Sequence, residues 1–292
     1  MFNNLKLPNI NTRYCFFVLF FSLISIYDLF IHDPGNIIDY ILRMTSVVVT
    51  AGLSYFLLLK LFKIKLNIWY FIITQIILIL LIHPTNTLWY FPLTVGITVL
   101  LKAVVRFKGS PIFNPAGFGL FVTFYLTDLL HKLGLTKESL FVSWWGSDIV
   151  RTMYETSMIL RIIPIILLLT FIYFAWRFRK LLHASFFAFT FIVFMLVYSA
   201  IQGSANEFNQ VTQLIFALTL NAFAFLTLVM VSEPKTSPIL RNHQITLGIL
   251  GGVLLFVVTI YPLPIGDIDP YILGLIMLNL LTFLFKKYRV LG

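Results

Sequence analysis

Charge is scarce in this chain of 292 residues. Charged side chains make up 11% of it and hydrophobic ones 60%. A water-soluble domain carries about 25% charged residues, so the composition excludes an ordinary soluble domain. Acids are scarcer than bases, 11 against 21 Lys and Arg. Cysteine is almost missing. Cys15 stands alone, which excludes an intramolecular disulfide and a cysteine-ligated metal cluster. The sequence also lacks a nucleophile–base pair, a phosphate-cradling glycine loop, a dinucleotide fingerprint and zinc-ligand spacing. No residue is therefore offered as catalytic or as a metal ligand. The leader MFNNLKLPNINTR has no short apolar core with a small-residue cleavage site, so the first apolar run is expected to be a retained span.

Long apolar runs are what the chain has instead. A membrane span needs roughly 20 such residues. Ten runs qualify, at about 14–31, 38–59, 66–83, 87–105, 113–131, 157–176, 183–200, 211–231, 243–261 and 269–285. The expected fold class is an all-α polytopic membrane protein, a single transmembrane domain over residues 1–292. With both termini in the cytoplasm, Arg43, Lys132, Lys137, Arg151 and Arg161 are the only outside cations of 21, and Glu233 is the only inside acid of 11. That alternation follows the positive-inside rule and suits the inner (cytoplasmic) membrane of a cell. The net charge of +10 then reads as topology and attraction to anionic lipid. The partner it implies is the bilayer, and nucleic acid is not needed.

Two stretches interrupt the runs. The first is RFKGSPIFNPAGFGL, Arg106 to Leu120, with Gly109, Pro111, Pro115 and Gly117. The second is VSEPKTSPIL, Val231 to Leu240. Broken backbone at membrane depth survives only when buried in protein or lining a cavity. Weaker breaks accompany them: Pro84 follows the third span on the outside, and Pro262 opens PLPIGDIDP, also outside. The spacing from Pro84 to Pro111 nearly equals that from Pro234 to Pro262. Ten spans divide into halves of about 14–131 and 157–285, and an odd number per half inverts the second. The expectation is an inverted five-plus-five repeat whose broken helices point polar ends at a shared site; the plainer alternative is that Pro and Gly only punctuate loops.

The candidate side chains follow from these breaks. Asn114, between Phe113 and Pro115, either caps the next helix or holds a polar ligand. Glu233, beside Pro234, is a functional carboxylate at a membrane boundary or half of an interfacial pair with Lys235. Thr236 and Ser237 either donate to a ligand or cap the helix that follows. His83 is a solvated interfacial residue or a proton-responsive ligand. Thr85 and Asn86, in the HPTNTLW stretch, are secondary candidates. So are Trp144 and Trp145, which belong to the interfacial aromatic belt or offer a stacking platform.

The segments HPTNTLW, KGSPIFNPAGFGL, VMVSEPKTSPI and YPLPIGDIDPYILGLIMLN, in that order, resemble the membrane D subunit of Rnf-type electron transport complexes. The related B subunit of the sodium-translocating NADH:quinone reductase belongs to the same family, RnfD/NqrB. The resemblance covers about Thr74 to Phe285. It implies a urea-transporter-like inverted repeat, flavin binding, and membership of a redox complex that couples electron flow to cation movement. It nominates Phe113, Asn114, Pro115, Glu233, Thr236 and Ser237 as cofactor-binding. Family members attach flavin through a threonine phosphoester in a Ser/Thr-Gly-Ala-Thr type sequence of the outside loop. Here that loop reads HKLGLTKESLFVSWWGSDIVRTMYET, and Ser143 to Ser147 is its nearest, unmatched approach. Glu233 stands where the family usually has Asp. The resemblance therefore implies a member without covalent flavin, binding FMN or riboflavin non-covalently if at all, beside other subunits of a redox complex. The alternative is a stand-alone transporter or channel for a small polar solute or flavin on the same fold. A third reading is an assembly subunit without a ligand.

Overall fold

Large apolar side chains face outward along the first long helix, α1 (Ile37–Phe62). Ile38 is 76% exposed and Val48 67%. On a soluble protein so long a face would be an interaction surface; along a helix of this length, lipid covers it. The computed structural model describes residues 15, 19, 22–23, 37–62, 68–83, 86–142, 144, 162–202, 222–261 and 268–288. The run expected at 14–31 is described only at Cys15, Leu19, Ser22 and Leu23. Residues 211–221, with Pro84, Thr85, Trp145 and Pro262, lie outside the described residues.

Among the described residues, eight further helices follow in chain order. They are α2 (Ile68–Leu81), α3 (Tyr90–Val104), α4 (Pro115–Lys132), α5 (Ile162–Arg177), α6 (Leu181–Gln202), α7 (Ala222–Phe225, continuing as a π-helix over Leu226–Val231), α8 (Arg241–Ile260) and α9 (Pro270–Tyr288). Among the described residues, four stretches are long and apolar enough to cross a bilayer: Ile38–Lys60, Leu181–Ile201, Arg241–Ile260 and Pro270–Tyr288. Ile68–Leu81, Tyr90–Val104, Leu168–Arg177 and Ala222–Val231 are shorter apolar helices. The chain is an all-α membrane protein. Helix α2 is apolar all round and most of its residues are buried, as befits a helix enclosed by others.

The first break holds more order than the sequence suggests. Arg106–Phe107 and Ser110–Pro111 pair antiparallel. Lys108 and Gly109 make the turn between them with φ of 47° and 81°, the positive values that two-residue hairpin turns require. Gly117, read as a breaker, lies inside α4. A Cβ there would meet Leu275 Cδ2 at 2.8 Å, so this glycine serves close packing between α4 and α9.

The helices pack in matching pairs. Helix α1 lies on α3, and α6 on α8. Helix α3 lies on α4, and α8 on α9. Helix α2 touches α4, and the π-helical end of α7 touches α9. Finally α4 packs directly on α9. Helices α6 and α8 meet backbone to backbone, because a Cβ on Gly252 would sit 2.6 Å from the Phe187 carbonyl oxygen and one on Gly248 2.9 Å from that of His183. Small residues permit such approach between helices in lipid.

Candidate functional site

Two helix ends separated by more than a hundred residues build the polar centre. Asn114 precedes Pro115, which needs no amide hydrogen at the first helical position. The Asn114 Oδ1 accepts from Gly117 N–H at 3.1 Å, so the residue caps α4. It also does more. Its backbone N–H donates to Asn279 Oδ1 of α9, and its Nδ2 donates to the Met230 carbonyl at 3.4 Å. Asn114 is 3% exposed. Capping and long-range docking are thus combined in one side chain.

The second break folds around Glu233. Its carbonyl accepts from Ser237 Oγ at 2.6 Å and from Ser237 N–H at 3.0 Å. Its Oε2 accepts from Thr236 Oγ1 at 3.1 Å. Thr236 and Ser237 are both buried, and their hydroxyls hold the Glu233 turn and its carboxylate. Burial holds the Glu233 carboxyl above its usual range, while the Lys102 ammonium and the Thr236 hydroxyl pull it the other way.

The two breaks close on a cavity of about 30 Å³, lined by Tyr70, Thr74, Asn114, Pro115, Ser232 and Glu233 among others. That volume holds one or two waters. Lys102, in the last turn of α3, is 7% exposed. Its Nζ donates to the Tyr70 carbonyl at 2.9 Å and to Thr74 Oγ1 at 2.8 Å, two residues of the cavity wall. Lys235 Nζ lies 4.4 Å from the centre of the Tyr70 ring, a cation–π contact, and Lys286 Nζ donates to the Lys235 carbonyl at 3.3 Å.

The remaining candidates lie elsewhere. Phe113 stacks on Phe118 with ring centres 4.3 Å apart, next to the cap rather than on the cavity. His83 follows the far end of α2, about 13 Å along the helix from Thr74 at 1.5 Å per residue. Its ring packs against Phe141; burial first, then the Arg43 charge, lowers its pKa below the usual value. Asn86 is a staple. It donates to the His83 and Phe141 carbonyls at 2.8 and 2.7 Å and accepts from Phe141 N–H at 2.8 Å, while its own carbonyl accepts from Arg43. Trp144 is buried and donates to Asp269 Oδ2 at 2.9 Å, with edge contacts to Phe225 and Tyr271. An interfacial belt tryptophan would face lipid headgroups; this one is core. Thr85 and Trp145 lie outside the described residues.

Sequence reasoning missed Lys102 and Asn279. Lys102 falls within the 87–105 run, and a lysine there carries its own signal, since ionisable residues inside spans are functional candidates. Asn279 carried a weaker one, an isolated amide in the apolar run 269–285. Comparison with known proteins found no matching family model and no matching curated protein.

Proposed function

We propose that this chain is an integral membrane subunit of a flavin-dependent, ion-coupled electron transport complex of the RnfD/NqrB kind, and that its own task is to pass a small charged or polar species between two inverted halves. One observation carries the reading: two proline-broken stretches, far apart in sequence and both part of the family resemblance, line one small cavity into which they bring Asn114 and Glu233. The ten-span, five-plus-five arrangement is part of the proposal. The matching helix pairs support it, and so does the direct contact of α4 with α9. So does a shared pattern at the starts of those helices, where Asn114-Pro115 with Gly119-Leu120 is repeated as Asp269-Pro270 with Gly274-Leu275. Any FMN or riboflavin is bound non-covalently, by residues of the two breaks or on a partner subunit.

The same small volume favours the second reading, a stand-alone transporter or channel for a small solute. Gentle extraction followed by an absorbance spectrum and identification of co-purifying polypeptides separates the two. Flavin- or iron–sulfur-bearing partners are the result expected of a complex subunit. A colourless, solitary protein that moves solute or charge in liposomes is the result expected of the transporter. A solitary protein with no flux would overturn both.

A further inference from the structure

A recess of about 280 Å³ lies between α5, α6 and the start of α7, apart from the central cavity. Close-packed interiors leave few gaps larger than a water. Its floor follows one face of α6, where Leu181, Ala184, Ser185, Ala188 and Ile192 recur at helical spacing. From Leu181 to Ile192 the helix rises about 16 Å. Leu168 and Ile172 of α5 wall one side, and Thr227 and Leu228 of α7 the other. Ser185 is exposed, and Ala188 and Ile192 are half-buried, so the recess opens on the outside of these helices. Leu169 and Phe189, next in sequence to wall and floor residues, expose large apolar side chains there. Such a surface faces hydrocarbon. Water finds too few partners in an apolar recess, and an acyl chain needs none.

The end at Leu181 is basic. Leu181 follows the turn after α5 directly, and Arg177 and Arg179 are exposed at that turn. Lys180 is already engaged, because its Nζ donates to the Pro238 carbonyl at 2.6 Å. No acid stands between Ile162 and Gln202 or between Ala222 and Val231, so these elements oppose no negative headgroup. Thr227 adds a polar mark to the wall. Thr94 and Thr123, in regular helices, donate to carbonyls four residues back. The Thr227 hydroxyl, in the π-helical turn, is buried without a partner, and an ester carbonyl is an acceptor of the kind it lacks.

We propose that this recess is a binding site for an anionic phospholipid, one acyl chain lying along α6 from Leu181 to Ile192 and the phosphate meeting Arg177 and Arg179. Basic pockets between membrane helices hold acidic headgroups in this way. The site shares a wall with the polar centre: Thr227 and Leu228 face the recess, while Val229 and Ser232 line the central cavity, as does Phe178 of the basic turn. A lipid seated here props the π-helical turn from the side away from that cavity. The inference needs only a membrane protein and stands whatever the chain transports.

The test is native mass spectrometry of the full-length, delipidated protein given equimolar phosphatidylglycerol and phosphatidylcholine with the same acyl chains. One phosphatidylglycerol should be held in preference to phosphatidylcholine. Arg177→Gln/Arg179→Gln should weaken that first lipid by about tenfold or more and abolish the preference. Lys60→Gln removes an exposed cation at the end of α1 and should change neither. Ala188→Phe fills the recess and should lose the first lipid of either headgroup; Ser185→Phe, placed on the exposed rim, makes the same test if the first variant does not fold. Equal retention of the two lipids by the wild type would overturn the proposal. So would an arginine double variant that keeps its preference, a loss as large in Lys60→Gln, or a folded Phe variant that holds phosphatidylglycerol as the wild type does.

Discussion

Helices α4 and α9 begin alike and end up in opposite surroundings. Each starts at a polar residue followed by proline. Asn114 caps through Oδ1 to Gly117 N–H, and Asp269 caps through Oδ1 to Tyr271 and Ile272 N–H at 2.8 and 3.0 Å. What stands opposite differs. Asp269 Oδ2 meets the indole N–H of Trp144, and the tryptophan ring closes that end among Phe225 and Tyr271. Asn114 meets a carbonyl at the π-helical end of α7, and a small cavity that Glu233 also lines remains. The lesson is that the cap does not make the site. A sealed end and one that leaves a cavity share the same local grammar, and the residue packed opposite decides which is built.

The comparison breaks most severely if the Glu233 charge is removed. Glu233→Gln takes away a carboxylate whose charge favours the buried Lys102 ammonium, and it is expected to lower stability by about 1 kcal/mol or more and to abolish charge movement in liposomes. Adding Lys102→Met should restore much of the stability and none of the movement. Chemical or thermal unfolding of the single and double variants, beside a flux assay, checks both halves of the statement. Full stability in Glu233→Gln alone would mean that the pair is not coupled.

Next come the two glycines one turn into each helix. A Cβ on Gly119 would lie 1.7 Å from Thr98 Oγ1 and 3.0 Å from the Thr98 Cα, whereas one on Gly274 would lie 2.8 Å from the movable Leu255 Cδ1 and 3.5 Å from its backbone. Gly119→Ala is therefore expected to destabilise by about 2 kcal/mol and Gly274→Ala by under about 1 kcal/mol, on the usual scale for overpacking. Equal unfolding midpoints for the two variants would remove the asymmetry.

The caps themselves sharpen the contrast. Asp269→Ala should cost about 2 kcal/mol, from a lost cap and a stranded indole donor, and leave flux intact. Asn114→Ala should cost about 1 kcal/mol, insert normally and impair flux. If both variants transport equally, the two ends are equivalent and the site assignment fails. The smallest effect is expected of Thr236→Val, which frees Glu233 Oε2 from its hydroxyl. About 0.5–1 kcal/mol of stability and a partial loss of flux are the outcomes to measure.

Much of this was legible in the sequence. Helices fall on the apolar runs because burial and lipid both reward them, and the helix start at Asn114-Pro115 was readable from proline chemistry alone. Asn114 and Glu233 line one cavity, and the breaks that carry them are legible in their prolines. Other features were hidden for reasons of geometry. Whether Lys102 points inward depends on the rotation of α3, which its neighbours set. Asn86 reads as a ligand candidate until Phe141, 55 residues away, is seen to take its amide. Trp144 sits near a boundary in the linear count, yet Asp269 draws its indole inside. The Lys108–Gly109 turn was written locally in a glycine, but its partner strands are too short to announce themselves.

The glycine-lined contact between α6 and α8 has a mechanical consequence. With Gly252 set against the Phe187 carbonyl and Gly248 against that of His183, neither helix can slide past the other without main chain striking main chain. The two must travel as one plank. Any opening of the polar centre is then pushed to seams held by side chains, such as the α4–α9 crossing with its Asn114–Asn279 bond, where a rotamer change is enough to let go.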